Sequence, residues 1–396
     1  MKFKIANITP DMTLDTKRRF RRFLSHKQGL CGVTKDEEPC YTTGSETEFQ
    51  QQEVSMFRRH VALLAVWFAL ALVTNNLAQA QSFFEGKTMR IIVGFAAGGG
   101  YDAYSRVIGR HLGKHIAGNP NIVVDNMVGA GSLIAANHLY KVAKPDGLTI
   151  AHFSGGLFMG QVLGQPGIEF DAKKFEFIGA AVGEDVVCGL TKASGVTSVE
   201  KWMAAKTPVK LGGNSPGVTP DNAARIVKSA LGLPIQVITG HKGTAAIRLG
   251  VESGELAGAC FSWESMKVTW RNALKAGDLI VVLQVVAKPF PDLPNVPLAI
   301  NLAKTDDARR LLKLGVQDAA AYARPFVLPP GTPKERVELL RKAFHATLED
   351  KAFLAETEKA MLNIDPLTGE ELVQMVADLG TLPPAFLARL KGILYD

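Results

Sequence analysis

The segment RIIVGFAAGGGYD, residues 90 to 102, joins a short apolar run to three consecutive glycines. The run Arg90 to Val93 predicts a buried β-strand, and apolar residues at helical spacing from Tyr104 to Leu112 predict a helix that Asp102 opens. Glycines let backbone N–H groups face a ligand without a Cβ in the way, and a helix N-terminus carries a partial positive charge. Gly98 to Gly100 are therefore expected to form an anion-binding loop.

A dinucleotide is one candidate for this anion. Gly98, Gly100 and Ala103 fit the pattern G-x-G-x-x-G/A between a strand and a helix, and Asp125 closes the next predicted strand as a ribose-binding acid would. However, Asp125 follows Gly98 by 27 residues, whereas the fingerprint places the acid about 20 residues on. A phosphate-binding P-loop fits less well, because no Gly-Lys-Ser/Thr follows the glycines.

The chain upstream of this segment has the layout of a secretory signal. Met56 is followed by Arg58 and Arg59, by the 13-residue apolar run Val61 to Val73, and by the small-x-small sequence that ends at Ala80. The run is shorter than the roughly 20 apolar residues of a membrane span. We expect residues 56–80 to be a signal peptide and residues 1–55 to be a non-native or disordered extension, with an uncleaved anchor as the alternative. An exported protein has little access to soluble nicotinamide cofactors, which weakens the dinucleotide hypothesis.

Composition limits the function classes. The 396 residues have a net charge of +7, and 11 basic and 8 acidic residues fall in positions 1 to 80, which leaves 34 basic and 30 acidic residues and a net charge of +4. Such a mild excess gives no case for nucleic-acid binding. The remaining 316 residues can bury the cores of two medium α/β domains.

Cys188 and Cys260 are the cysteines that follow the signal, and both lie in strand-like runs. We expect two separate buried thiols, with a single disulfide as the alternative in an oxidising compartment. No spacing of cysteine and histidine fits a metal site, so neither a metal nor a cofactor is predicted.

Strand-like runs alternate with helical patterns along the rest of the chain, which predicts an α/β fold with parallel βαβ units. A glycine turn at 129–131 leads through Ser132, a predicted helix cap, into an alanine-rich helix. Asp102 is likewise expected to cap its helix rather than to contact an anionic ligand, because two negative charges repel. A proline-rich stretch at 289–297 suits an exposed loop or a crossing between domains.

Three separate motifs, in this order and spacing, carry a family resemblance. They contain the following residues: Phe95, Ala96, Gly98, Gly99, Gly100 and Asp102; then Asn126, Gly129, Ala130 and Gly131; then Pro145, Asp146 and Gly147. Downstream, Lys242-Gly243, the turn 254–256 and the prolines of 291–297 continue the pattern. Over residues 86 to 396 the chain resembles the Bug-type solute-binding receptors of tripartite tricarboxylate transporters.

The resemblance implies a type II periplasmic binding protein of the Venus-flytrap kind, with two lobes that are each a mixed or parallel sheet flanked by helices. We expect residues 81–187 to begin the first lobe, 188–286 to form the second, and 287–396 to return to the first lobe and end in helices. Such a protein captures a small carboxylate and is not an enzyme. Its expected partners are the membrane permease subunits of the transporter, and it is expected to be a periplasmic monomer without a nucleic-acid partner.

The same resemblance implies that two glycine-containing loops, one in each lobe, grip the ligand largely with backbone amides. The ligand-binding residues predicted on this basis are Gly98, Gly99, Gly100, Tyr101, Ser154, Gly155, Ser215, Gly217, Thr219 and His241. Lys242 is a further candidate for charge complementarity. Ala97, Tyr101, Met127-Val128 and His241 depart from residues common in the family, so the ligand stays open among dicarboxylates, tricarboxylates, aromatic acids and amino acids. A dinucleotide-dependent dehydrogenase and a ligand sensor for a signalling system are the alternative functions.

Overall fold

The computed structural model of the chain describes residues 83 to 395. The predicted extension at 1–55 and the predicted signal peptide at 56–80 lie outside the described residues. Within 83–395, no helix combines the length and the apolar character that a membrane crossing requires.

Eleven strands occur in the described residues and form two sheets. Their bounds are β1 Thr88–Val93, β2 Asn121–Asn126, β3 Thr149–His152, β4 Glu176–Ala180, β5 Val186–Thr191, β6 Val209–Gly212, β7 Ile235–Ile238, β8 Gly258–Ser262, β9 Leu279–Val285, β10 Phe326–Leu328 and β11 Leu367–Thr368.

Fifteen α-helices of the described residues cover and connect these strands. Their bounds are α1 Gly100–Leu112, α2 Leu133–Lys141, α3 Gly156–Val162, α4 Val199–Met203, α5 Thr219–Leu231, α6 Thr244–Glu252, α7 Trp263–Thr269, α8 Arg271–Ala276, α9 Ala299–Leu302, α10 Asp306–Leu312, α11 Asp318–Ala321, α12 Lys334–Leu348, α13 Lys351–Ala360, α14 Gly369–Asp378 and α15 Pro384–Tyr395.

The first sheet has the strand order β11-β4-β10-β3-β1-β2 and the second has the order β7-β6-β8-β5-β9. Each sheet is mixed: β1 is parallel to β2 and β3, and β6 is parallel to β7 and β8, whereas β10 and β5 run antiparallel to their neighbours. The fold is therefore a two-lobed α/β structure, as predicted. We call the first sheet and the helices packed on it the first lobe, and the second sheet with its helices the second lobe.

The chain passes between the lobes more than once. β4 ends in the first sheet and β5 begins in the second, and β10 and β11 later add two strands to the first sheet. In contrast, α10 and the C-terminal helix α15 pack against α5 of the second lobe. The residues after β9 thus contribute to both lobes.

The parallel pairings place the carboxyl ends of several strands at one edge of each sheet. In the first sheet, Val93 at the end of β1 lies opposite Asn126 of β2 and His152 of β3. In the second, Gly212 at the end of β6 lies opposite Ile238 of β7. Ligands of open α/β sheets bind beyond such edges, and the glycine loops of both lobes begin there.

Three local predictions are corrected by the structure. α1 begins at Gly100 rather than at Asp102, because Gly99 is extended and occupies the N-cap position. Ser132 precedes α2, but its side chain makes no capping bond; its hydroxyl oxygen instead accepts the N–H of Ser154. Cys188 and Cys260 form a disulfide rather than two separate thiols, because β5 and β8 are antiparallel neighbours that place these two residues opposite each other.

Candidate functional site

The N-termini of three helices meet at one small cavity between the lobes. α1 belongs to the first lobe, whereas α5 and α6 belong to the second. The cavity has a volume of about 20 Å³, and its lining residues are Phe95, Gly99, Gly100, Tyr101, Ser154, Glu184, Asn214, Val218, Thr219, Pro220, Gly243, Thr244, Phe261 and Ser265. Each helix start presents backbone N–H groups that have no partner within the helix, together with the positive end of the helix dipole. This part of the molecule is suited to hold negative charge.

An acidic side chain braces the loop that leads into α1. The N–H of Gly98, which has a φ of 81°, donates to Oδ2 of Asp102 at 2.9 Å. Burial by itself would raise the pKa of Asp102, but the hydrogen bonds from Arg106 and from the Gly98 amide outweigh this effect and lower the pKa. Asp102 therefore shapes the loop, and its carboxylate is the hydrogen-bond partner of the Gly98 amide. Gly98 is not among the residues that line the cavity.

The loop before α5 is braced in the same way. Oδ2 of the fully buried Asp221 accepts the N–H of Asn214 at 2.5 Å, and Asn222 accepts the N–H of Gly217 at 3.0 Å. Burial raises the pKa of Asp221 to about 6. The two lobes thus use equivalent devices, an acid in the first turn of the helix that fixes the preceding loop.

Of the predicted residues, Gly99, Gly100, Tyr101, Ser154 and Thr219 line the cavity. They come from both lobes, which the structure brings together at this point.

Gly155 and Gly217 lie next to the cavity without lining it. The N–H of Gly155 donates to the carbonyl of Ala323 at 2.8 Å, so it is already satisfied. Gly217 approaches Gly156, where an added Cβ would lie only 2.4 Å from the carbonyl oxygen of Gly217. These two glycines serve the close packing of backbone against backbone.

Ser215 and His241 line an adjoining groove of about 360 Å³, together with Lys242 and the glycine turn before α2. Nδ1 of His241 lies 2.9 Å from the carbonyl oxygen of Gly213. Of the predicted second-lobe residues, Thr219 therefore lines the cavity, Ser215 and His241 line this neighbouring groove, and Gly217 lines neither.

Tyr101 forms part of the cavity wall. Its ring lies between the rings of Phe95 and His152, each with its centre 4.6 Å away, and its hydroxyl donates to the carbonyl of Ala323 at 2.9 Å. Burial and the nearby charge of Glu184 raise the pKa of Tyr101 well above its ordinary value. The residue is a fixed, neutral aromatic surface rather than a group at the rim.

Two hydroxyl groups at the cavity have no hydrogen-bond partner among the described residues. They are those of Ser154, which follows β3, and of Thr244, the first residue of α6. A buried polar group without a partner costs free energy comparable to a lost hydrogen bond. Their placement beside three helix N-termini gives the cavity free polar groups that a polar ligand can satisfy.

Sequence reasoning missed a buried ion pair beside the cavity. The guanidinium of Arg324 donates to Oε1 of Glu184 through Nε and Nη2, at 3.3 and 3.1 Å. Nη2 also donates to the hydroxyl oxygens of Ser262 at 3.0 Å and of Ser265 at 2.6 Å. The hydroxyl of Thr219 donates to Oε2 of Glu184. The network therefore joins the segment before β10 to the second lobe.

Arg324 is held in this place by its surroundings. Its guanidinium lies 4.8 Å from the ring centre of Tyr101 and 5.4 Å from that of Tyr104. Burial by itself would lower the pKa of Arg324, but the nearby carboxylate of Glu184 outweighs this effect and raises the pKa. The available sequence signal was an arginine two residues before the apolar run that becomes β10.

The acid required by the dinucleotide hypothesis lies elsewhere. Asp125 forms an ion pair with Arg90, and both side chains are more than two-fifths exposed. Asp125 is in β2, at the edge of the first sheet, and does not line the cavity.

Direct contacts join the lobes around the cavity. The N–H of Ala96 donates to the carbonyl of Lys242 at 3.0 Å. A Cβ added at Gly100 would lie 1.9 Å from Oγ of Ser265, and one added at Gly131 would lie 2.9 Å from Cβ of Ser215. The absence of side chains at these glycines allows the lobes to approach this closely.

Comparisons with known proteins agree with this architecture. No family model matches the chain. A UPF0065 protein of Agrobacterium vitis is 25% identical over 250 residues, which are 61% of this chain and 68% of that protein. A UPF0065 protein of Cupriavidus necator is 37% identical over 101 residues, 24% of this chain and 30% of that protein.

Solved structures resemble the chain over a larger part of its length. The periplasmic binding protein BugD has a TM-score of 0.64 and 19% identity, covering 78% of this chain and 98% of its own. MatC from Rhodopseudomonas palustris, solved with malate, has a TM-score of 0.61 and 18% identity, covering 78% of this chain and all of its own. The predicted resemblance to Bug-type receptors is thus confirmed, and the fold is that of a two-lobed periplasmic binding protein.

Proposed function

We propose that the chain is the extracytoplasmic solute-binding receptor of a tripartite tricarboxylate-type transporter and that it captures a small organic carboxylate between its lobes. The observation that carries this proposal is the convergence of three helix N-termini, from both lobes, on one cavity. Two hydroxyl groups without partners, those of Ser154 and Thr244, lie at the same cavity. Aligned backbone amides and hydroxyl groups are the donors that a carboxylate accepts.

Binding is coupled to closure of the lobes. The amides of Gly99 and Gly100 belong to the first lobe, whereas Thr219 and Thr244 belong to the second, so one carboxylate contacts both only when the lobes meet. The ligand therefore prefers the closed state and shifts the population toward it. The closed form is the one that a membrane permease subunit recognises, and the protein acts in the periplasm as a monomer.

In the proposed site the ligand is bound mostly by backbone N–H groups, and this predicts how variants behave. A Cβ at Gly99 would lie 3.1 Å from Oγ1 of Thr244, so the branched side chain of Gly99→Val fills the space between α1 and α6 and should abolish binding. Thr219→Ala removes one hydroxyl, which already serves Glu184, and should weaken binding modestly.

A thermal-shift screen against a panel of carboxylates identifies a ligand, and calorimetric titration then compares the variants. Gly380→Val is the matched control, because an added Cβ there has its nearest neighbour 3.9 Å away, at the flexible end of Lys173, and it should bind like the wild type. Unchanged affinity in Gly99→Val would contradict the proposed site. A panel without any stabilising carboxylate would contradict the proposed function.

The BugD-like fold is shared by proteins solved with adipate and with malate, two dicarboxylates. Those ligands belong to those proteins. They support a carboxylate as the class of ligand for this chain.

A further inference from the structure

The second lobe has a groove that takes no part in the proposed ligand site. It has a volume of about 690 Å³ and lies beside the edge strand β7; the residues that carry the argument are Arg225, Lys228 and Ser229 of α5 and Ile235, Gln236 and Val237 of β7. None of its lining residues lines the cavity between the lobes. We call it the β7 groove.

The charged side chains that line the β7 groove are both positive. Lys228 is exposed and Arg225 is partly buried. Among the described residues, neither takes part in an ion pair, and Nε of Arg225 is buried without a hydrogen-bond partner. The one acid of α5, Asp221, directs its Oδ2 to the amide of Asn214 instead. The groove therefore offers two cations to an anionic partner.

The outer edge of β7 offers backbone groups at the same place. In the described part of the chain, β7 ends its sheet and has β6 as its one neighbouring strand. The carbonyl groups of Pro234 and Ile238 accept hydrogen bonds from the β6 side. Because successive residues of a strand direct their backbone groups to opposite sides, those of Ile235 and Val237 face outward. An extended peptide can pair with such an edge.

We infer that the β7 groove docks an acidic, extended segment of the membrane permease, which adds to β7 as a strand while its carboxylates pair with Arg225 and Lys228. This rests on the proposed function, because it assumes a membrane partner. A second copy of the chain fits poorly, since joining two β7 edges would bring the cations of both copies together, and like charges destabilise such a junction. A lipid phosphate could accept from the cations but has no donor for the outward carbonyl groups.

The first lobe contains a groove that is built in the same way and separates shape from charge. It lies between α1 and the edge strand β2, has a volume of about 560 Å³, and is lined by basic but no acidic side chains. Each of these basic side chains already has an acidic partner; the pairs are Arg106 with Asp102, Arg110 with Glu356, and Lys114 with Asp350. An acidic segment should therefore prefer the β7 groove.

Anisotropy titration of the receptor with labelled ten-residue peptides tests this inference. The probes are an alternating threonine–glutamate peptide, its threonine–glutamine counterpart, and a proline–glutamate peptide of equal charge. The first should bind about tenfold more tightly than the second, because two exposed ion pairs together contribute about that much. It should bind about threefold or more tightly than the third, because proline cannot donate to a strand ladder. Its affinity should also fall as the salt concentration rises.

Lys228→Glu should weaken binding of the threonine–glutamate peptide about tenfold, because it replaces an attraction with a repulsion. Arg110→Glu is the matched control: it makes the same change of charge in the groove of the first lobe and should leave this affinity unchanged. Lys228→Glu should also bind small carboxylates as the wild type does, since Lys228 does not line the cavity. The docking groove and the receptor function are thus tested separately.

A photo-crosslinker identifies the natural occupant. Placed at the exposed Gln236 in cells that express the permease, it should join the receptor to a permease segment rich in aspartate and glutamate, whereas one at the exposed Asn121 of β2 should not.

Equal binding of the three peptides, or equal losses in Lys228→Glu and Arg110→Glu, would overturn the inference and leave the two cations as protection of an open edge. Cross-links from Gln236 to lipid or to a second receptor would overturn the permease as the occupant. Peptide binding as expected, together with no binding of any carboxylate in the panel, would contradict the proposed function instead.

Discussion

At the scale of single residues, the pair of Arg324 and Glu184 has an energetic cost that its surroundings offset. Both side chains are almost completely buried, and removing two ions from water costs several kcal/mol each. The hydroxyl groups of Ser262, Ser265 and Thr219 and the two tyrosine rings provide the compensating contacts. Removing either side chain leaves the other as a buried charge without a counter-charge.

Arg324→Met should lower the free energy of unfolding by about 3–5 kcal/mol, because it leaves Glu184 buried without its counter-charge. Adding Glu184→Gln to this variant should recover much of the loss, since the uncompensated charge disappears. Urea unfolding followed by circular dichroism measures both values. Arg90→Met is the control, because its pair with Asp125 is exposed and should contribute about 1 kcal/mol or less. Equal losses in Arg324→Met and Arg90→Met would contradict the role of the buried pair.

Asp221 makes a separate, pH-dependent contribution. Burial raises its pKa from 3.8 to about 6, so the folded state binds a proton more tightly than the unfolded state does. The resulting stability is fully present below about pH 4 and is lost as the pH rises through about 6. Relative to Asp221→Asn, the wild type should therefore lose about 2–2.5 kcal/mol between pH 4 and pH 7. Urea unfolding of both proteins across this range measures the difference, and a pH-independent difference would contradict the burial argument.

At the scale of elements, helix starts and loops can be predicted from the sequence where residues close together in the chain determine them. Thr368 and Glu371 form a capping box, a pattern that marks a helix start in sequence, and α14 begins directly after Thr368. Asp350 accepts the amides of Ala352 and Phe353, and α13 likewise begins directly after it. The first glycine loop was predictable for the same reason, since strand, glycines and helix follow one another within 13 residues.

What the sequence could not predict depends on contacts between distant segments. Glu184 and Arg324 are 140 residues apart, and no local pattern indicates that they meet. Asp102 was expected to cap its helix from the N-cap position, but it holds the loop from within the first turn, together with Asn126 of β2. Two separate thiols were expected in place of the disulfide for a similar reason, because the pairing of β5 with β8 is set by the sheet and not by a local pattern.

The disulfide allows a prediction for the second sheet. It links two residues separated by 72 positions, and closing a loop of that size restricts the unfolded chain by about 4 kcal/mol. The double variant Cys188→Ala/Cys260→Ala should therefore unfold with a free energy lower by about this amount in urea. The reduced wild type should behave similarly, with reductant making no difference to the double variant. Two thiols that titrate in the unreduced, denatured wild-type protein lacking residues 1–80 would contradict the disulfide.

At the scale of the whole molecule, the two lobes repeat one design. In each lobe a parallel strand ends in a glycine loop that an acid of the following helix fixes, and the two loops face each other. Close approach of the lobes depends on the small residues between them, such as Gly98, whose added Cβ would lie 4.0 Å from Cβ of Ala245. Because Cβ atoms joined by a disulfide lie about 3.5–4.5 Å apart, this pair is placed to lock the lobes covalently.

The double variant Gly98→Cys/Ala245→Cys should form this second disulfide under mild oxidation and should form it faster with a bound carboxylate, because the ligand favours the closed state. Gly98 has a φ of 81°, so a stability cost of about 1–2 kcal/mol is expected in the reduced form. The oxidised protein should exclude added ligand and show one small, fixed radius of gyration in X-ray scattering, and reduction should restore binding. Each single cysteine variant is a control that should respond to ligand as the wild type does. Ligand that slows the cross-link, or an oxidised protein that binds ligand as rapidly as the reduced one, would contradict closure of the lobes around the cavity.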